Sequence, residues 1–394
     1  MGLKRSEILE EFPLVEKYVY LSTSGVGLTP VSVTKDLNAF NEERTRIPPY
    51  EELFAKWLRT VEETRKDFAQ YVNASPDEIS FQENASMGIN TVVEMLPWRR
   101  GDKVIMDDLH FPSDIYPFQK LRKKGVETVI LKNSRGGVDV SDYERAIDDR
   151  TRLITISYIS WLNGFRYDVE ALGKLAEEKG VHFLVDATHG TGYMDIDVKR
   201  WKTAFLVSSN YKWLLAPFGV GELYVEKKIA DELEPPHVGW YSVGESVESR
   251  PSKTMGPGPY RLAPGGRKFE PGNLSYFSVY GLKRCLNFLQ RLGISEIRKT
   301  AFKLRDRLVY GLQEMGAKIL CPLDEKHRSA MFFCAFDKID GAELARRLEK
   351  LKVIVPARNF GEVSGLRVSP YFYNSEEDVD RFTASVGSVL KQKL

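Results

Sequence analysis

The chain has 394 residues, 42% of them hydrophobic and 28% charged, so it can bury the core of a large domain with a smaller companion and still present a solvated surface. Fifty-seven Lys and Arg against 55 Asp and Glu leave a formal charge of +2, which gives no electrostatic reason to expect nucleic acid or an anionic membrane as a partner. No apolar run approaches the roughly 18 residues of a membrane span, and MGLKRSEILEEF at the start lacks the apolar core of a signal peptide, so the expected location is cytoplasmic.

The predicted elements begin near residue 78, where short apolar runs alternate with amphipathic stretches. Strands are expected at 78–82, 103–108, 127–133, 152–159, 182–187, 203–209 and 220–225. The helical stretches between them include DVEALGKLAEEKG, where Asp168 can cap the start. There Val169, Leu172, Leu175 and Ala176 form one apolar stripe, and Gly180 can end the helix. Such alternation predicts an α/β fold with a mostly parallel sheet covered on both faces. Ligands of such sheets sit at the carboxyl ends of the strands. Residues 234–272 are rich in Gly and Pro, a texture that in a compact chain marks a functional loop or an interface. Two helices are expected at 276–292 and 294–315. A smaller α+β set follows, with a last helix from about Ser375. The expected organisation is a large domain over 21–284, a small C-terminal domain over 285–394, and residues 1–20 packed on the small one.

Three cysteines, Cys285, Cys321 and Cys334, stand among apolar neighbours and read as buried reduced thiols. The five histidines form no ligand pattern, so no metal site is expected. Chemistry-bearing residues cluster elsewhere. SSNYKWLLAPFGVG holds Lys212 just beyond the strand TAFLVSS, at the mouth of the sheet. HFLVDATHG ends an apolar strand on Asp186, with His189 three residues later. FQENASMGIN runs from strand to helix, and its helix start around Ala85 and Ser86 is a ready anion site. DDLHFPSDIYPF, YISWLNGFRYD, RKFEPGN and GLRVSPYFYNSEEDVDRF add aromatic, amide and arginine candidates. Taken singly, each has an ordinary structural explanation: a surface lysine, a turn aspartate, a helix cap, a core aromatic.

As a set, from about residue 18 to the end, these segments resemble the class V aminotransferase and cysteine desulfurase group of pyridoxal-phosphate enzymes. The Asp-x-x-His form is similar to the isopenicillin N epimerase-like branch. The resemblance implies fold type I, with a seven-stranded large domain and a smaller α+β domain. Pyridoxal 5'-phosphate is the implied cofactor, carried as a Schiff base by Lys212. It implies Asp186 as partner of the ring nitrogen and His189 at the cofactor's phenolic oxygen or phosphate. Ala85, Ser86 and Ser209 are then phosphate contacts, with Tyr211 where the family usually has a histidine. Phe111 takes the stacking position, with His110 beside it as the alternative. Asn273 stands where the family binds the neighbouring subunit's phosphate, which implies a homodimer with a shared site. Arg367 would hold the substrate carboxylate, with Ser24 and Gly25 beside it. Trp161 and Arg166 are left open, Arg166 with a structural reading as a surface pair to an acid. The segment VPARNFGEVSGLRVS has no cysteine and a short loop, which excludes the persulfide chemistry of cysteine desulfurases. An aminotransferase is the leading expectation. A C–S or other β-lyase, an epimerase and a catalytically silent pyridoxal-phosphate scaffold are the alternatives.

Overall fold

The computed structural model describes residues 4–46, 50–244 and 259–391. Its strands, in chain order, start with β1 (Val19–Tyr20), β2 (Ile79–Gln82), β3 (Lys103–Asp107), β4 (Glu127–Leu131) and β5 (Thr151–Ser157). They continue with β6 (His182–Asp186), β7 (Phe205–Ser209), β8 (Gly221–Val225), β9 (Lys318–Ile319) and β10 (Phe332–Ala335). The last are β11 (Val353–Ile354), β12 (Ala357–Phe360) and β13 (Val363–Val368).

All seven strands expected after residue 78 form, and they make one sheet in the order β2-β8-β7-β6-β5-β3-β4. The pairs β3–β4, β3–β5, β5–β6 and β6–β7 are parallel, while β8 runs antiparallel to both β7 and β2. Every residue of β7 and β8 is buried, so their polar members need internal partners, as Glu222 has in the Asn210 amide at 2.6 Å. Register aligns Ser157 with Asp186 and Asp186 with Val207, so the carboxyl ends of β5, β6 and β7 open on one ledge.

The helix Val169–Lys179 has the predicted signals: Asp168 accepts the Ala171 N–H at 3.1 Å, and Gly180 closes it at φ 64°. Two helices outside the predicted set, Val31–Arg46 and Tyr50–Tyr71, pack on Tyr276–Leu292. Stacked rings join them, Phe40 on Tyr280 at 5.2 Å and Trp57 on Tyr276 at 5.5 Å. Buried Arg65 of the second helix makes a two-pronged ion pair with Glu270, at 2.7 and 3.1 Å. The same carboxylate accepts the Phe81 N–H at 2.7 Å. That knot ties the segment following the Gly/Pro-rich stretch to β2. Of that stretch, residues 245–258 lie outside the described residues.

The second sheet has the order β12-β13-β10-β9 and is antiparallel throughout. Its inner face buries Phe332, Cys334, Leu366 and Val368 against Leu308, Leu348 and Phe382, and Val19 and Leu21 join that cluster. β1 pairs in parallel with β11, and Arg5 donates to the Tyr373 carbonyl at 2.7 Å. β12 is a difference from the sequence reading, which expected only a short loop within VPARNFGEVSGLRVS before the strand that holds Arg367. Two residues, Gly361 and Glu362, turn β12 into β13, with Gly361 at φ 59°, a backbone state that glycine adopts freely. Among the described residues no helix is long and apolar enough to cross a membrane, and no cluster suited to a metal ion forms.

Candidate active site

A cavity of about 730 Å³ opens on the ledge where β5, β6 and β7 end. Asp186, His189, Ser209, Tyr211, Lys212 and Phe111 line it, with Ala85 and Ser86 from the start of the helix Ala85–Met95. These positions come from segments up to 127 residues apart in sequence (Ala85 to Lys212), gathered because each follows a strand whose carboxyl end faces the same way.

Lys212 is the pivot. Its Nζ lies 3.1 Å from His189 Nε2 and 5.6 Å from the centre of the Phe111 ring. Burial pulls its pKa down to about 8; Arg367 and Arg358 push the same way, against Asp186 and Asp114. His189 Nδ1 accepts the Trp213 indole N–H at 3.2 Å, so in the neutral ring the proton sits on Nε2 and points at the Lys212 amine. Burial, then the charges of Lys212 and Arg367, hold His189 well below the usual histidine range. A neutral imidazole donating to a lysine favours the neutral, nucleophilic amine. Gly27 seals this arrangement from the N-terminal side. Its N–H donates to the Tyr211 carbonyl at 2.8 Å, and a β-carbon there would fall 1.9 Å from the Lys212 carbonyl oxygen.

The end of the cavity beside the helix start is built from hydroxyls with protons to spare. Ser209 Oγ accepts the Ala85 N–H at 2.9 Å, and Thr188 Oγ1 accepts the Ser209 N–H at 3.0 Å. Each acceptor role leaves its own O–H free to donate. Asn84 caps the helix through Met87 N at 3.0 Å, so the helix start presents its positive end to the cavity. Tyr211 stacks on Phe218 at 4.4 Å. This donor set fits an anion, and the amine, carboxylate and aromatic faces beside it fit a flat heterocycle with a basic nitrogen. That is the make-up of pyridoxal phosphate.

Phe111 stands edge-on to Trp161 at 5.3 Å. Trp161, left open by the sequence, is a brace: its indole donates to the His110 carbonyl at 2.9 Å and its own carbonyl accepts from Arg367 at 2.8 Å. Arg367 is 3% exposed and its Nε has no partner. Burial and the charge of Arg358 lower its pKa to about 9. Ser24 bonds Ser369 through both its N–H and its hydroxyl, at 3.1 and 2.9 Å, which sets Gly25 beside the Arg367 guanidinium. Among the described residues Arg166 makes no ion pair with an acid. It donates to the carbonyls of Lys326 and Glu325 at 2.9 and 2.6 Å, because the acid next to it, Asp168, is taken by the helix cap and by Lys326.

His110, unlike Phe111, does not line the cavity. It sits between Asp107 at 3.5 Å and Asp114 at 3.9 Å. Burial opposes its charging, but Asp107 and Asp114 outweigh it and raise the His110 pKa. Asp114 lines the cavity, and burial beside Asp186 pushes its carboxyl well above the usual carboxylate range. Asp114, Thr188 and Ser157 were not singled out by sequence. Thr188 was findable, since it stands between Asp186 and His189; the other two needed the fold. Asn273 does not line this cavity. It lies in a neighbouring one of about 510 Å³ that shares Glu83, Met87, Gly219 and Ser275 with the first.

The three cysteines are buried and none lines the cavity. Burial raises all three thiols, Cys334 to about 12.

The chain is 29% identical to a probable cysteine desulfurase of Methanothermobacter thermautotrophicus over 96% of each chain. It is 26% identical to an uncharacterized aminotransferase of Bacillus subtilis over 93% of each. A solved cysteine desulfurase from Thermococcus onnurineus NA1 superposes with a TM-score of 0.90 at 25% identity, covering both chains fully. The profile of the family described as Aminotransferase class-V matches residues 19–382, and the chain therefore belongs to that family of pyridoxal-phosphate enzymes.

Proposed function

We propose that this enzyme is an aminotransferase that works at the α-carbon of an amino acid, with Lys212 as the proton carrier. Pyridoxal phosphate, when bound, supplies the electron-withdrawing ring that makes the α-proton of an attached amino acid removable. Asp186 would hold the ring nitrogen, Phe111 one ring face, and Ser86, Ser209, Thr188 and Tyr211 the phosphate. Arg367 would orient the substrate by its carboxylate through a two-pronged contact. Lys212 Nζ then takes a proton at the α-carbon and can return it.

The observation that counts against a persulfide-forming desulfurase, and so leaves the lysine as the one base, is the β12–β13 turn. A transaminase needs one base that moves one proton between two carbons. A persulfide-forming desulfurase needs in addition a mobile cysteine near the substrate. Here a two-residue turn of Gly361 and Glu362 joins the strands, and no cysteine lies between Cys334 and the end of the chain. A β-lyase is the second reading, favoured by the desulfurase names among the relatives.

The test is a half-reaction. Holoenzyme is mixed with single amino acids without any keto acid. Conversion of the cofactor to its amine form with one equivalent of keto acid supports the aminotransferase. Release of pyruvate and ammonia replaces it with the lyase. A persulfide trapped on the protein, or loss of activity on alkylating the cysteines, contradicts both.

We also infer that Asn273 acts across a dimer, because it opens on a cavity beside its own Lys212 cavity rather than on it.

A further inference from the structure

β12 and β13 present two faces of different character. One carries Leu366 and Val368 into the core of the small sheet. The other carries Arg358 and Arg367. Register places Arg358 opposite Gly365, and Arg367 follows two residues after Gly365, so the two arginines share a face as diagonal neighbours. Gly365 has no side chain to part them, and the Phe333 ring fills its place. Phe333 and Phe360, 6.0 Å apart, floor the same face.

Neither guanidinium has a carboxylate within ion-pair distance among the described residues. Arg358 is half-buried and donates only to the carbonyl of its neighbour Ala357, at 2.7 Å. Arg367 keeps a buried, unpartnered Nε. Two like charges held together without a counterion cost stability. Arg367 donates to the carbonyl of Trp161, which lines the cavity, so its diagonal neighbour Arg358 stands close behind the same wall.

The charges can be balanced by role. Asp186 is matched by the ring nitrogen of the cofactor it would hold. Burial beside Asp186 disfavours a charge on Asp114. Arg367 is matched when an amino acid places its α-carboxylate there. Arg358 is left with no acidic partner among the described residues, on the same sheet face as the arginine that would take the α-carboxylate.

We propose that Arg358 is a specificity-determining residue, and that the site takes amino acids whose side chain carries an acidic group. The inference rests on the amino-acid reading of the site given above and names the substrate class within it.

The test uses holoenzyme with matched pairs, aspartate against asparagine and glutamate against glutamine, followed by cofactor absorbance. The expected result is a preference for the acidic member in kcat/KM. Arg358→Gln should reduce that preference about thirty- to hundredfold, mostly through KM, the size of a lost charge-assisted contact. Arg358→Lys should restore part of it. Calorimetry gives a readout independent of turnover: succinate should bind holoenzyme more tightly than butyrate, and Arg358→Gln should abolish the difference. A melting temperature within a few degrees of the parent shows that the variant is folded. Turnover of both members of each pair at equal efficiency, unchanged by Arg358→Gln, overturns the proposal and leaves the amino-acid reading intact. No response to any amino acid overturns both.

Discussion

At Lys212 the decisive quantity is the protonation of one amine. With its pKa brought down to about 8 by burial and by two arginines, the neutral fraction at pH 7.5 exceeds that of an exposed lysine by about two orders of magnitude. The rate at which added pyridoxal phosphate attaches to cofactor-free protein should therefore rise with pH and level off above about 8, as followed by visible absorbance. A rate still climbing at pH 10 would contradict the neutral-amine geometry. His110 and Asp107 give a second prediction. The His110 pKa is raised above its ordinary 6.5, so its share of stability is full below pH 6.5 and is lost as pH rises through the native value. The Asp107 pKa is lowered from 3.8, burial notwithstanding, by His110, Tyr143 and the Leu109 N–H. Its share is present above 3.8 and is lost as pH falls through the native value. The His110 ring resonances should titrate above pH 6.5 by NMR, and Asp107→Asn should bring them down.

Among the elements, the segment 265–275 is anchored by side chains rather than by a strand. Arg65 and Phe81 N–H converge on Glu270, which is buried and fully paired. Removing one member of a buried pair strands the other charge, a loss of about 3–5 kcal/mol. Glu270→Ala should show that loss in a chemical denaturation midpoint. It should also disturb the wall that carries Ser275 and Asn273. Double replacement of Arg65 and Glu270 by apolar residues of similar volume should recover most of the loss. The hairpin β12–β13 works in the opposite way: its register alone sets two arginines on one face, and its two-residue turn leaves no length for a mobile loop.

The whole molecule adds the question of a second subunit. If Asn273 serves the neighbouring site, two inactive variants should repair each other. Lys212→Ala mixed with Asn273→Ala after joint refolding should regain about a quarter of parental activity, since half the dimers are mixed and each of those has one intact site. Zero recovery, with dimers present by ultracentrifugation, would place Asn273 outside the shared site.

The large sheet was legible in the sequence because each of its strands is a local signal: an apolar run of strand length closed by a polar or small residue. Asp186, Lys212 and Ser209 were legible for the same reason, as residues that follow directly on such runs. The helices Val31–Arg46 and Tyr50–Tyr71 were not singled out, and β12, whose ARNF is half exposed and carries no apolar pattern, read as loop. What only the tertiary structure decided is which groups meet. His189 on Lys212, Trp161 under Arg367, His110 between two aspartates, and Arg358 beside Arg367 all depend on strand register and on buried charges acting over a few ångströms. Composition and spacing along the chain carry neither, because they record which residues are present and in what order, whereas proximity across the fold is set by packing.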